Sequence, residues 1–105
     1  MSEENIYELL ALAKESLGII STATARDEEL KMIIEAGAED MARAGVNINV
    51  QTPLMRKAII TFVKANFGIS NPLDKERFMN SYRLCLSDLS LSEGYKQETE
   101  ETSNE

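Results

Sequence analysis

Residues 52–68 read Thr52-Pro53-Leu54-Met55-Arg56-Lys57-Ala58-Ile59-Ile60-Thr61-Phe62-Val63-Lys64-Ala65-Asn66-Phe67-Gly68, and they decide the fold. Thr52 is a helix-capping residue, and Pro53 suits the first helical position, where its missing N–H costs nothing. Leu54, Met55, Ala58, Ile59, Ile60, Phe62, Val63, Ala65 and Phe67 then cover most of the helix circumference. Only a narrow hydrophilic strip remains, formed by Arg56, Lys57, Thr61 and Lys64. A helix this apolar must be covered on two or more sides, so it is central, and Gly68 stops it. The rest of the chain has to supply elements with one apolar stripe each to surround it.

Both flanks do so. On the C-terminal side Asn71-Pro72 repeats the capping device, and Phe78, Tyr82, Cys85, Leu86 and Leu89 give a fourth helix an inward face. Asp74, Lys75, Glu76 and Arg77 fill its first turns as a solvated surface. On the N-terminal side Leu30, Ile33, Ile34, Gly37, Ala38 and Met41 form the buried stripe of a second helix. Thr24 with Asp27 resembles a capping box at its start, Asp27-Glu28-Glu29 places negative charge on the positive helix end, and Arg43 and Gly45 close it. Gly37 in mid-helix costs about 1 kcal/mol relative to alanine, which another helix crossing close at that point explains. Ile6, Leu9, Leu10, Ala13 and Leu17 recur at helical spacing in a first helix that ends at Gly18. Ile19 or Ile20 tucks back beneath it. Residues 46–51, Val-Asn-Ile-Asn-Val-Gln, alternate with period two, as either a plain loop or a strand pairing across subunits.

The expected fold class is therefore all-α, a single compact domain of about four helices over residues 1–92, with a flexible acidic tail at 93–105. Residues 96–105 carry too little apolar surface to offset chain entropy and are expected to be disordered when free.

A chain of 105 residues holds one domain. It has no histidine, so the commonest metal ligand and the commonest general base are both missing. The single cysteine, Cys85, cannot close an internal disulfide and reads as a small buried hydrophobe. The glycines are isolated rather than grouped in a phosphate-binding loop, and there is no paired-cysteine or EF-hand spacing. Only carboxylate-held magnesium stays compatible with the composition. Glu35 and Glu39 share a helix face and could hold a divalent cation together, but with no further ligand they read as an exposed face. No apolar run approaches the ~20 residues that span a bilayer. Met1-Ser2-Glu3-Glu4 is acidic where a secretory signal would be basic, so the protein is expected to stay where it is made.

The formal charge of −7 is unevenly distributed. Residues 1–48 carry a net −6, residues 49–92 a net +3, and residues 93–105, with five glutamates and Lys96, a net −4. The total field repels phosphate, which argues against general nucleic-acid binding. Arg56, Lys57 and Lys64 sit on a helix too apolar to lie in a groove and lacking polar base readers. An acidic side and a basic side suit protein association, including head-to-tail association of identical copies.

The order of features resembles the phage head–tail connector, or DNA-packaging adaptor, family of tailed phages and prophages, over about residues 6–95. The resemblance rests on several stretches: Leu17-Gly18-Ile19 closing a leucine-rich helix; Asp27-Glu28-Glu29-Leu30 followed by Ile33-Ile34-Glu35-Ala36-Gly37-Ala38-Glu39; Pro53-Leu54 leading into Ala58-Ile59-Ile60-Thr61-Phe62-Val63; and Ser81-Tyr82-Arg83 with Leu86 running into an acidic tail. Lys64-Ala65-Asn66-Phe67-Gly68 departs from the aromatic, Glu-Asn-Arg-like stretch that many members carry there. The resemblance implies a non-enzymatic structural virion protein without cofactor. It would be one subunit of a ring-shaped homo-oligomer that docks under the portal protein, completes DNA packaging and offers an attachment site to tail-completion proteins. DNA would pass through the channel without sequence-specific binding. Assembly would take place in the host cytoplasm, and the free subunit could be a monomer. Glu35, Glu39, Lys57, Lys64, Tyr82, Arg83 and Tyr95 are the subunit-interface candidates. The competing reading is a small helical adaptor or regulatory protein that binds a single protein partner.

Overall fold

The computed structural model of the chain describes residues 1–68 and 71–91. Four helices follow one another: α1 (Glu3–Leu17), α2 (Asp27–Arg43), α3 (Pro53–Asn66) and α4 (Pro72–Leu91). Among the described residues there is no β-strand. The all-α, four-helix expectation holds. The proposed boundary at 92/93 and the tail beyond it lie outside the described residues.

Local chemistry sets each helix end. Ser2 Oγ accepts the Asn5 N–H at 3.2 Å to open α1. At its close Gly18 takes φ +76°, and the N–H groups of Gly18 and Ile19 return to the carbonyls of Glu15 (3.2 Å) and Lys14 (2.8 Å). This paired closure points Ile19 inward against the core, whereas Ile20 stays 72% exposed. The same closure recurs after α2, where Gly45 and Val46 bond to Ala42 and Met41, both at 3.0 Å, and Val46 is fully buried. Val46 forms an isolated bridge, and residues 47–50 turn, with the Val50 N–H donating to the Asn47 carbonyl. Within one chain the period-two stretch is thus a connection.

Thr52 Oγ1 accepts the Met55 N–H, and Pro53 opens α3 as its residue types require. The helix ends one residue before Phe67, and Gly68 follows at φ +72°. Asn71 Oδ1 accepts the Leu73 N–H at 2.7 Å at the start of α4.

The start of α2 departs from the expected capping box. The residue before the helix is Arg26, with no side-chain cap, while Asp27 occupies the first helical position. The reason is tertiary. The Asp27 carboxylate is taken by Lys14, whose Nζ lies 2.9 Å from Asp27 Oδ1, so it does not reach back to Thr24. Only the Asp27 main-chain N–H meets Thr24, at its carbonyl.

Helix α3 packs against each of the other three helices, which explains its apolar circumference. Leu9 and Ala13 from α1, Leu30, Ile34 and Met41 from α2, Met55, Ala58, Ile59 and Val63 from α3, and Tyr82, Cys85 and Leu89 from α4 make one core. Gly37 is where α2 and α3 cross. A Cβ there would stand 2.9 Å from Phe62 Cδ2, so the glycine buys close approach at the expense of helix propensity.

Candidate interaction surface

Charged side chains divide into those satisfied within the fold and those left open. Lys14 is 95% covered, at 5% relative exposure, and its ammonium donates to the Ser21 carbonyl at 3.0 Å while facing Asp27. The Asp27 contact is a charge contact rather than an aligned hydrogen bond, since Oδ1 has no hydrogen-bond partner. Together these groups clamp the 19–25 linker between α1 and α2. A hollow of about 500 Å³ beside the clamp is lined by Tyr7, Leu10, Ala11 and Ile19.

On α2 most acids are already answered. Glu28 pairs with Lys31, Glu29 with Arg26, and Glu39 and Asp40 with Arg43. Arg26 also lies over the Phe67 ring, 4.4 Å from its centroid. The hydrogen bond from Arg26 holds the Glu29 carboxyl below its ordinary range. Glu35 is exposed and forms no ion pair among the described residues, as is also true of Glu4, Glu8 and Glu15 on α1. Those three recur at the spacing that keeps one outward face of α1 acidic.

The opposite charge gathers on α3. Arg56, Lys57 and Lys64 form no ion pair among the described residues. They edge an open groove of about 440 Å³ between α1 and α3, with Leu12, Pro53 and Ile60 as its apolar floor.

The other sequence candidates are placed as follows. Tyr82 is only 1% exposed, its hydroxyl donates to Asp40 Oδ2 at 2.6 Å, and its ring meets Phe62 with centroids 5.1 Å apart. Burial, and after it the Asp40 hydrogen bond, push the Tyr82 phenol far above its ordinary range. In this fold its side chain serves the core and offers no surface to a neighbour. Arg83 is exposed, with Nη1 donating to Asn80 Oδ1 at 3.1 Å. Tyr95 lies outside the described residues. Glu35 and Glu39 share a face as the spacing requires, but Arg43 lies 3.6 Å from Glu39. No group of three or more potential ligands that could hold a metal occurs among the described residues.

Two features were not anticipated. The Lys14–Asp27 clamp was signalled only by Lys14 standing on the line of Leu10 and Leu17. On α4, Leu73, Leu84 and Leu91 are 68%, 70% and 74% exposed and lie on one line opposite Tyr82. Their spacing of eleven and seven residues was the available signal.

Three helices surround the apolar α3; the unpaired charges of α1 and α2 are acidic and those of α3 basic, while α4 exposes unpaired charges of both signs. A family model described as phage connector protein matches residues 9–96. The chain belongs to this phage connector family, which makes it a structural connector component of a phage particle. Neither the curated proteins nor the solved structures give a match. No described helix is long and apolar enough to cross a membrane.

Proposed function

We propose that the chain is one subunit of a head–tail connector ring that docks under the portal, completes DNA packaging and receives tail-completion proteins. The observation that carries this reading is the segregation of free charge: Arg56, Lys57 and Lys64 at one groove, and Glu4, Glu8, Glu15 and Glu35 on α1 and α2. A patch and its complement at different places on one subunit make a heterologous contact, which closes into a ring when the rotation per step permits. Exposed ion pairs contribute only about 0–1 kcal/mol each, so charge orients the neighbours and apolar contact supplies most of the affinity. The exposed leucines of α4 are available for such contact. Arg83 and Glu39 belong to the same proposed interface, Glu39 after exchanging Arg43 for a neighbour's cation. An acidic lining would let DNA slide through the channel without adhering.

Electron microscopy of the chain mixed with portal protein tests the reading. The expected result is a closed ring of copies beneath the portal. Absence of any portal-bound density at saturating chain would overturn it.

A further inference from the structure

The outer face of α4 carries an apolar ridge that no described element covers. Leu73, Leu84 and Leu91 are 68%, 70% and 74% exposed. Their spacing of eleven and seven residues returns each to nearly the same side of the helix, so the ridge runs straight for about 27 Å. Helix α4 packs on α3, and reaches α2 through the Tyr82–Asp40 hydrogen bond, from its opposite face, where Tyr82, Cys85 and Leu89 are buried. An apolar line this long on an exposed helix face marks an interaction surface.

The charges beside the ridge identify its occupant. Arg77 and Asp88 are also eleven residues apart, so both stand on the same edge of the leucine line. They are opposite in sign, and they lie five residues before and six after position 82. Leu73 and Leu91 lie nine residues either side of that position, with Leu84 beside it. The face is therefore its own complement about residue 82. A two-fold axis at that level, perpendicular to the helix, sets a second α4 antiparallel on the first. Leu73 then meets Leu91 of the other copy, Arg77 meets its Asp88, and the two Leu84 side chains sit at the centre. Glu76, on the other edge, comes opposite Ser87. Asp88 forms no ion pair among the described residues, and Arg77 has only an exposed contact with Asp74 at 3.6 Å, so both charges are open to a partner. In parallel register Asp88 would instead face Ser87 with its charge unanswered, and the two helix dipoles would repel.

We propose that free chains pair through the outer faces of α4, antiparallel and about a two-fold axis at residue 82. The contact is isologous, so it joins two copies and cannot propagate into a ring, and it stands apart from the ring reading. An interface of one helix face per copy falls at the low end of size, below about 1,200 Å² in total, where pairs are weak and exchanging. Such a pair parts readily and leaves the leucines free for the ring contact described above.

The test is sedimentation equilibrium of the full-length chain without portal, with NMR over the same dilution, from about 10 μM to about 1 mM, a range that brackets weak affinities. Wild type should pass from monomer to dimer across it, and the amide signals that shift should be those of Leu73, Arg77, Leu84, Asp88 and Leu91. A monomer throughout would overturn the proposal. So would shifts confined to Arg56, Lys57 and Lys64, which would seat the contact in the groove between α1 and α3. Leu84→Asn should leave the monomer folded and weaken pairing at least about tenfold, as expected for a side chain at the centre of the contact. Pairing as strong as wild type in this variant would sink the idea. Arg77→Asp and Asp88→Arg each set like charges against one another across the axis, so each alone should pair at least about tenfold more weakly at low salt. Mixed together, the two single variants bring opposite charges back into register and should form a heterodimer close to wild-type strength. No recovery on mixing would defeat the antiparallel register and the proposal with it. Should a reversal disturb the fold, the dilution shifts and Leu84→Asn decide. Ring formation on the portal is scored separately. Rings from a chain that never pairs when free defeat the pair alone, and pairing without rings defeats the ring reading alone.

Discussion

Tyr82 and Lys14 show how single residues fix this fold. The Tyr82 hydroxyl holds Asp40 across the core, from α4 to α2. Tyr82→Phe removes one hydrogen bond while Asp40 keeps Arg43 and water, so a loss of about 0.5–1.5 kcal/mol is expected in denaturant unfolding. The pH sign follows from the raised phenol. The stability that depends on the neutral form is intact below the unfolded value near 10 and is lost as pH rises above it. Wild type should therefore lose stability above about pH 10, and Tyr82→Phe should flatten that decline; equal alkaline slopes would count against the contact. Lys14→Met keeps the stem but strands Asp27, whose side chain retains 22% exposure, so a loss of about 1–3 kcal/mol is expected in the same assay. Lys14 was legible as a charge on an apolar line, between Leu10 and Leu17. Its partner was not, because pairing with Asp27 depends on how the 19–25 linker folds back, which no local pattern encodes.

Among the elements, α3 was legible almost whole, because Thr52-Pro53 and an apolar circumference are signals that its own residues satisfy. The start of α2 was misread for the converse reason: Asp27 had a tertiary partner that outcompeted the local cap. The glycine crossing can be tested directly. Gly37→Ala gains about 1 kcal/mol of helix propensity but drives a methyl into a Phe62 ring already held against Tyr82. Overpacking of this kind costs about 1–3 kcal/mol, so net destabilisation is expected, relieved by Phe62→Leu; a higher melting temperature for Gly37→Ala alone would show that the ring yields freely. On α4 the two faces should separate cleanly in thermal unfolding. Leu89→Ala, fully buried, should cost about 2–5 kcal/mol. Leu84→Asn, on the exposed line, should change stability by less than about 0.5 kcal/mol. Comparable losses at both sites would contradict the placement of α4.

For the molecule as a whole, the charge division was visible in the sequence, but its meaning was not. Counting charges gave an acidic first half, whereas the structure neutralises much of α2 internally and leaves α1 and Glu35 to carry the free negative charge of that half, with Glu76 and Asp88 unpaired on α4. Lys57 was legible as an exposed residue, because so little of α3 is polar, whereas Lys64, expected to be exposed too, is half-buried. Tyr82 was legible as part of the inward face of α4, and its 1% exposure bears that out; its second reading as an interface residue fails because the ring is spent in the core. The central claim is that Lys57 and Lys64 orient one subunit on the next. It is tested most directly by sedimentation of wild type and Lys57→Glu/Lys64→Glu, with portal protein present, across a range of salt. The double reversal should remain folded, and wild type should enter portal-bound rings at low salt and do so less readily as salt rises. The reversed protein should assemble poorly throughout. If it joins rings at low salt as readily as wild type, charge at this groove does not orient the subunits.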